Sequence, residues 1–166
     1  MSHKNLYSEE AIEKLRDLAE SIDFAMMATD LEKLPLHIVP MSTKKVDDRG
    51  SIWFLSNRYS SHNKHLEKDA RVQLIYGDTT SVSFLSVYGT VNVTTNQKII
   101  EELYAKTDDA WFDGKEDPNI CALEVIPSHV HYWDTKENAL VSLMSLGFAA
   151  LTGEQQDLNE EGKLEI

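Results

Sequence analysis

Six short runs of apolar and β-branched residues, each closed by turn-forming residues, occupy the middle of this 166-residue chain. Runs of this length and composition predict β-strands. They span residues 24–29, 36–43, 51–56, 71–76, 82–95 and 120–133. Asp47-Asp48-Arg49-Gly50, between the second and third runs, predicts a hairpin loop in which the glycine takes the left-handed conformation. So many strands with few helices between them predict a mainly β fold with flanking helices (α+β), an antiparallel barrel or sandwich.

Helical patterns flank and punctuate these strands. Ser8 is a candidate N-cap, and apolar residues then recur at helical spacing as far as Ile22, which predicts an amphipathic helix of roughly four turns. Shorter helices are predicted over 60–68, opened by serines, and over 96–105, capped by Asn96. The pattern over residues 136–152 predicts a strongly apolar helix. Its apolar face has to pack either on its own barrel or on a second subunit.

The whole chain, 1–166, is predicted to be a single domain. Its 42% apolar content is enough for one core, and its length is too short for two ordinary domains. The parts are an N-terminal helix (1–23), a barrel (24–135), a C-terminal helix (136–153) and an acidic tail (154–166). Cys121 is the only cysteine, and we expect it to be a buried core thiol. With no long apolar stretch, we expect neither a signal peptide nor a membrane span, and therefore a cytoplasmic location.

The charge is distributed unevenly. The net charge of −12 argues against nucleic-acid or membrane partners, since an acidic surface repels phosphates. Residues 44–71 nevertheless carry a local charge of +3, which leaves −15 for the remaining 138 residues. The basic residues of this island are Lys44, Lys45, Arg49, Arg58, Lys64, Lys68 and Arg71. Such an island is either a site for a small anionic ligand or a solvated face that balances its neighbours.

A strand, a loop and a helix follow one another within this island, at 51–56, 57–59 and 60–66. Hydroxyls, backbone N–H groups and cations at a helix start can hold a phosphate dianion. The preceding strand offers backbone groups suited to the polar edge of a flat heterocycle. The same serines can instead be ordinary helix caps.

These residues resemble a known family. The stretch Trp53-Phe54-Leu55-Ser56-Asn57, followed at fixed spacing by Ser60 and Leu66, is similar to the FMN motif of pyridoxamine 5'-phosphate oxidase-like split barrels, in the general stress protein 26-like branch. Further matching segments lie, in the family's order, at 40–42, 83–90, 111–118, 132–134 and 150–154. The resemblance implies a six-stranded antiparallel split β-barrel of the FMN-binding type.

The resemblance also implies a homodimer with FMN at the subunit interface. In that arrangement the backbone of 53–56 and of 41–43 lines the flavin ring, Ser60 holds the phosphate, and Trp111 reaches over from the partner subunit. The implied cofactor-binding residues are Met41, Ser42, Thr43, Trp53, Phe54, Leu55, Ser56, Arg58, Ser60, Ser61, His62, Lys64 and Trp111.

Two residues depart from the family pattern. The family usually has a lysine at the position of His62, and many members have an arginine at the position of Val39. A neutral imidazole supplies one donor and no fixed charge, so we expect weaker phosphate binding unless Arg58, Lys64 or Ser61 compensates.

The resemblance implies a flavin-dependent oxidoreductase that takes electrons from a reduced nicotinamide or a small substrate, with no titrating catalytic residue. The arginine-containing C-terminal motif of true pyridoxamine phosphate oxidases is missing, so we do not expect that activity. The alternatives are a non-catalytic flavin-binding protein and a dimeric barrel that has lost its cofactor.

Other arrangements of chemistry-bearing residues are weaker. His62 with His65, and His129 with His131, have spacings at which a metal can bind, but neither pair has an evident third ligand. The sequence contains no G-x-S-x-G nucleophile motif, so a Ser-His-Asp hydrolase is not supported. Trp111 and Phe112 are either ligand-covering or core residues.

Overall fold

The structure of the chain is a computed structural model that describes residues 2–4, 6–135 and 159–165; the apolar helix expected over 136–153 lies outside the described residues. The strands are β1 (Ser2–His3), β2 (Leu6–Tyr7), β3 (Phe24–Thr29), β4 (His37–Ser42), β5 (Lys45–Val46), β6 (Ile52–Asn57), β7 (Arg71–Asp78), β8 (Ser83–Thr94), β9 (Ile120–Thr135) and β10 (Asn159–Glu165). The helices are α1 (Ser8–Ile22), α2 (Ser61–Leu66), α3 (Gln97–Leu103) and a 3₁₀ helix over Lys106–Ala110.

One sheet of ten strands, counted over the described residues, contains all of these strands. Its order is β1-β10-β9-β8-β7-β3-β4, and β6 joins it through β9 and β5. The 16-residue β9 organises the barrel, because β8, β10 and β6 all pair with it in antiparallel fashion. The predicted antiparallel split barrel is therefore confirmed.

The six predicted runs form six of the ten strands, and the other four show where the expected count of six was wrong. Two of them, β5 and β10, have a clear physical reason. The hairpin loop needs a strand on each side, so Lys45–Val46 pairs with β6. Residues 159–165 lie in the expected acidic tail but pair with β9. This pairing buries Leu164, while its neighbours Lys163 and Glu165 stay exposed, as in a strand with one face on the core.

The main core lies between the inner face of the sheet and α1. Every third or fourth residue of α1 is buried, as its spacing predicts, and Leu15 is fully enclosed against the barrel. Burying one leucine side chain contributes about 1.5–3 kcal/mol. The largest enclosed side chains of the strands are Met27, Phe54, Tyr76 and Tyr132.

Strand β6 is buried on both faces, which fixes the position of the candidate site. Ile52 and Phe54 point into the main core. Trp53 and Leu55 point to the other side, where α3 covers them with Ile100. The strand therefore reads as an unbroken apolar run, and it presents Ser56 at its end as a buried polar residue.

The hairpin loop before β6 has the expected geometry. Gly50 has φ 81° and its N–H donates to the Asp47 carbonyl at 3.0 Å. The Asp47 carboxylate accepts hydrogen bonds from the backbone of Arg49 and Ser51 and from the Trp53 indole, the last at 3.0 Å. This loop holds the start of β6 in register.

Candidate functional site

The strand–turn–helix unit closes on itself at the end of β6. Ser60 is the N-cap of α2, and its Oγ accepts a hydrogen bond from the Asn63 N–H at 3.3 Å. The capping interpretation of this serine is therefore confirmed. Because α2 has only six residues, its macrodipole is small, and any attraction for an anion has to come from side chains.

His62 lies between the two serine hydroxyls that the sequence singles out. Its Nε2 is 2.6 Å from Ser56 Oγ and 3.0 Å from Ser60 Oγ, and the ring is buried. Burial first, and then the nearby imidazoles of His37 and His65, lower the pKa of His62 to about 4. The ring is neutral at pH 7 and occupies both hydroxyls.

Asn63 is part of the same cluster and was not predicted from the sequence. Its Nδ2 donates to Ser56 Oγ at 2.9 Å, to the Asn57 carbonyl at 2.7 Å and to Ser60 Oγ at 2.9 Å. Ser60-x-x-Asn63 has the spacing of a capping box, in which the third residue reaches back to the cap. That spacing is the signal that could have identified it.

The Asn63 Oδ1 atom, in contrast, is buried without a hydrogen-bond partner among the described residues. Asn63 also lines an open cavity of about 590 Å³, together with Arg58, Leu66 and Val91. A buried acceptor without a partner is costly, so a hydrogen-bond donor at this position, such as a water molecule, would be stabilising. Cys121 borders the same cavity, and burial raises the pKa of its thiol to about 11. The expectation of a buried core thiol is confirmed.

A second group of imidazoles lies beside this cluster. Thr29 Oγ1 is 3.1 Å from His65 Nδ1 and 3.4 Å from His37 Nδ1, and the two rings meet edge to face with centroids 4.8 Å apart. The fully buried hydroxyl can donate only one proton, so at least one ring nitrogen donates to it. The described residues contain no group of three or more His, Cys, Asp or Glu arranged to hold a metal ion.

The segment 41–43 lies next to β6, at the corner between β4 and β5. The Lys44 N–H donates to the Trp53 carbonyl at 2.8 Å, which ties this corner to the strand. Met41 is a core residue, and Ser42 Oγ donates to Asp23 at 2.7 Å. Thr43 Oγ1 lies 3.0 Å from the hydroxyl of Tyr76. The two segments that the resemblance implies for the flavin ring are thus adjacent.

Trp111 projects from the surface of its own chain, at 82% exposure. The interpretation of Trp111 as a core residue of this chain is therefore wrong. Phe112, the next residue, is half-buried against the α3 cluster. The loop is held by Lys44, whose Nζ lies 2.8 Å from both carboxylate oxygens of Asp108. A fixed loop with an exposed indole leaves that ring available to another molecule.

Most of the basic island balances acidic neighbours. Four of its seven basic residues are in ion pairs: Lys44 with Asp108, Lys45 with Glu102, Arg49 with Asp47 and Glu124, and Arg71 with Asp69 and Glu32. Three cations, Arg58, Lys64 and Lys68, form no ion pair with any residue in the described ranges. All three are exposed and lie within or beside the α2 segment. The four paired residues fit a solvated face that balances its acidic neighbours. Only the three unpaired cations are candidates for binding an anionic ligand.

Comparison with known proteins bears on this site. A family model described as pyridoxamine 5'-phosphate oxidase like matches residues 10–157, which is most of the chain. The chain belongs to this family. Within it, the solved structure of a general stress protein 26-type protein from Jannaschia sp. CCS1 is similar over 96% of this chain and 99% of that chain, with a TM-score of 0.77 and 23% identity.

Two further similar proteins have related descriptions. The general stress FMN/FAD binding protein of Xanthomonas citri has a TM-score of 0.66 and 23% identity, covering 78% of this chain and 92% of that one. General stress protein 26 of Bacillus subtilis is 22% identical over 96 residues, which is 56% of this chain and 69% of that protein. Among the described residues of this family member, no helix is long and apolar enough to cross a membrane.

Proposed function

We propose that this chain is a flavin-binding protein of the general stress protein 26 type, with FMN as its cofactor. The observation that carries the proposal is that the Ser56 and Ser60 hydroxyls meet at His62 Nε2, at 2.6 and 3.0 Å, at the end of β6. The cluster lies on the segment that resembles the family's FMN motif. The similar Xanthomonas citri protein is described as FMN/FAD binding, which supports the same cofactor class here.

The chemistry of the donor set fits the phosphate of FMN in kind. Two hydroxyls and one imidazole can donate to phosphate oxygens, and the exposed cations Arg58 and Lys64 lie in the same loop and helix. The fit requires one rearrangement, because both hydroxyls are engaged by His62. Ser61, exposed at the first position of α2, adds a third hydroxyl.

The ring of the flavin would lie along the backbone of 53–56 and 41–43. The side chains of Trp53, Phe54 and Leu55 are buried in the two cores, so this part of the site consists of backbone held by a packed scaffold. We propose that Trp111 of a second copy covers the ring. An aromatic contact of this kind adds about 0.5–1.5 kcal/mol beyond burial.

A homodimer also gives the exposed apolar side of the sheet a partner. The register places Met26 opposite Pro40 on one side and Ile75 on the other, all three exposed. We name as the outer apolar face the exposed residues Phe24, Met26, Ile38, Pro40, Ile75 and Phe84. Contiguous exposed apolar surface of this kind marks an interaction site.

When bound, FMN supplies the electron or hydride chemistry, with a reduced nicotinamide or a small molecule as donor. The chain itself binds and orients the cofactor. The second candidate is a non-catalytic flavin-binding protein, and the neutral His62 between the hydroxyls favours weaker phosphate binding in either case. We do not propose pyridoxamine phosphate oxidation.

The test is the absorption spectrum of the purified protein, followed by titration with FMN. A bound flavin absorbs in the visible range, and bleaching by a nicotinamide donor supports the oxidoreductase, whereas binding without bleaching supports the non-catalytic protein. R58A/K64A should weaken FMN binding more than K68A, which removes a cation just after α2. Protein that is colourless and does not bind added FMN would contradict the proposal.

A further inference from the structure

The side chain at the centre of the proposed phosphate site is an imidazole with no charge of its own. Its Nε2 contacts Ser56 Oγ at 2.6 Å and Ser60 Oγ at 3.0 Å, so one ring nitrogen engages both hydroxyls that the proposed site offers to a phosphate. The neighbouring amide donor, Asn63 Nδ2, is already shared among three acceptors.

Protonation changes what this imidazole can do. A neutral ring has one nitrogen that donates and one that accepts, whereas an imidazolium donates from both and carries a positive charge. A phosphate dianion next to the ring favours the charged form, just as burial disfavours it. The same side chain can therefore satisfy the serines without ligand and hold an anion with it.

We propose that His62 is a pH-dependent determinant of phosphate binding: neutral, it occupies the hydroxyls of Ser56 and Ser60, and protonated, it donates to the phosphate of FMN. This inference rests on the proposed function. It implies that FMN binding takes up a proton, and that affinity for the phosphate increases as the pH falls.

The charges around His62 determine how far a bound phosphate has to raise the pKa of its ring. His65 from α2 and His37 from β4 disfavour a charge on His62 whenever they are protonated. Asp30, directly after β3, lies close enough to His65 for that imidazole to favour the charged form of the Asp30 carboxylate. From β9, the Cys121 thiol is neutral because burial raises its pKa to about 11. Arg58 and Lys64, exposed beside the cluster, add permanent positive charge. Without a ligand, these surroundings disfavour the charged form of the His62 ring. A bound phosphate dianion would stabilise that charged form.

The experiment compares FMN with riboflavin, which has the same ring and no phosphate. Dissociation constants of both are measured by flavin fluorescence from pH 5.5 to 8.5, for the wild type, H62K and H62Q. H62K carries its charge throughout this range, and it corrects for protonation of the FMN phosphate itself, whose second pKa is about 6. H62Q keeps a neutral side chain that can bond the serines. Melting without flavin shows whether each variant folds.

The expected result is that the FMN-to-riboflavin affinity ratio of the wild type, relative to that of H62K, increases as the pH falls. Uptake of one proton gives a slope approaching about tenfold per pH unit between the pKa values of the free and bound protein. H62K should bind FMN more tightly than the wild type at pH 8.5, and H62Q should show no such slope.

A second measurement needs no variant. The His62 ring is titrated by NMR in the wild type, alone, with inorganic phosphate and with FMN; its pKa should increase with either anion. Three results would each overturn the inference. The pH dependence of FMN binding by the wild type could match that of H62K, or the His62 titration could be unchanged with FMN bound. The third is binding by H62K with none by the wild type at any pH. Absence of FMN and riboflavin binding in the wild type and H62K would instead overturn the proposed function, and the inference with it.

Discussion

The ammonium group of Lys44 lies 2.8 Å from both oxygens of the Asp108 carboxylate, and both side chains are about nine-tenths buried. This pair joins the corner after β4 to the 3₁₀ helix that precedes Trp111. It therefore connects the strand side of the candidate site with the loop that carries the exposed indole.

Removing one charge of this pair should destabilise the protein strongly. In K44M the Asp108 carboxylate stays buried without its cation, and we expect a loss of about 3–5 kcal/mol in the free energy of unfolding, measured in urea. The control is K45M, because Lys45 meets Glu102 at 3.8 Å with both side chains exposed, and this change should cost less than about 1 kcal/mol. Equal losses would show that the buried pair has no special role.

Gly89 should not tolerate a side chain. A Cβ there would lie 2.2 Å from the Ile126 carbonyl oxygen of β9, beside an irregularity in the register of β8 and β9. G89A should cost about 3 kcal/mol or more, because backbone has to move. In G77A the new Cβ meets only the ring of Phe84, at 3.1 Å, and this partly exposed ring can shift. We expect G77A to cost less than about 1 kcal/mol in the same urea titration.

Asp134 should contribute to acid sensitivity. Burial disfavours its charge, but hydrogen bonds from Lys14 and Ser83 outweigh burial and lower its pKa below the usual 3.8. The unfolded chain thus binds this proton more readily, so the contribution is present above pH 3.8 and is lost as the pH falls through the pKa of the folded state. D134N should cost about 1.5–3 kcal/mol at pH 7 and reduce the slope of stability against pH below 4. An unchanged slope would contradict this assignment.

Trp111 and Phe112 should behave differently despite being neighbours. W111A should leave the free energy of unfolding of the single chain within about 0.5 kcal/mol of the wild type, because the indole is 82% exposed. F112A removes a half-buried ring and should cost about 2 kcal/mol or more. If the proposed flavin site is correct, W111A also weakens FMN binding about three- to tenfold. A large stability loss in W111A would indicate a scaffold role.

The outer apolar face should mediate self-association. I75E places a charge at its centre and should convert a dimer to a monomer in sedimentation velocity, since a desolvated charge is costly. V93E is the matched control, because Val93 is similarly exposed, at 47%, near the end of β8 and is not part of this face. A wild-type chain that sediments as a monomer at micromolar concentration would exclude the homodimer.

Much of the fold follows from local pattern. The apolar spacing after Ser8 predicts α1, the apolar and β-branched runs closed by turn residues predict the six main strands, and Asp47-x-x-Gly50 predicts the hairpin loop. These features depend on neighbouring residues alone, so a sequence is sufficient to identify them. The strand β10 was missed because its charged residues suit solvent, and only pairing with β9 reveals that Leu164 is enclosed.

Some features of the candidate site also follow from the sequence, and others depend on the tertiary structure. The sequence by itself determined the family, the strand–turn–helix order and the serines of the motif, because these are carried by residue types at fixed spacing. Only the tertiary structure decided that His62 lies between Ser56 and Ser60, that His37 joins His65 across Thr29, and that four cations of the basic island are paired elsewhere. Hydrogen bonds and charges act through distance in space, and contacts between residues far apart in the chain exist only once the sheet has closed.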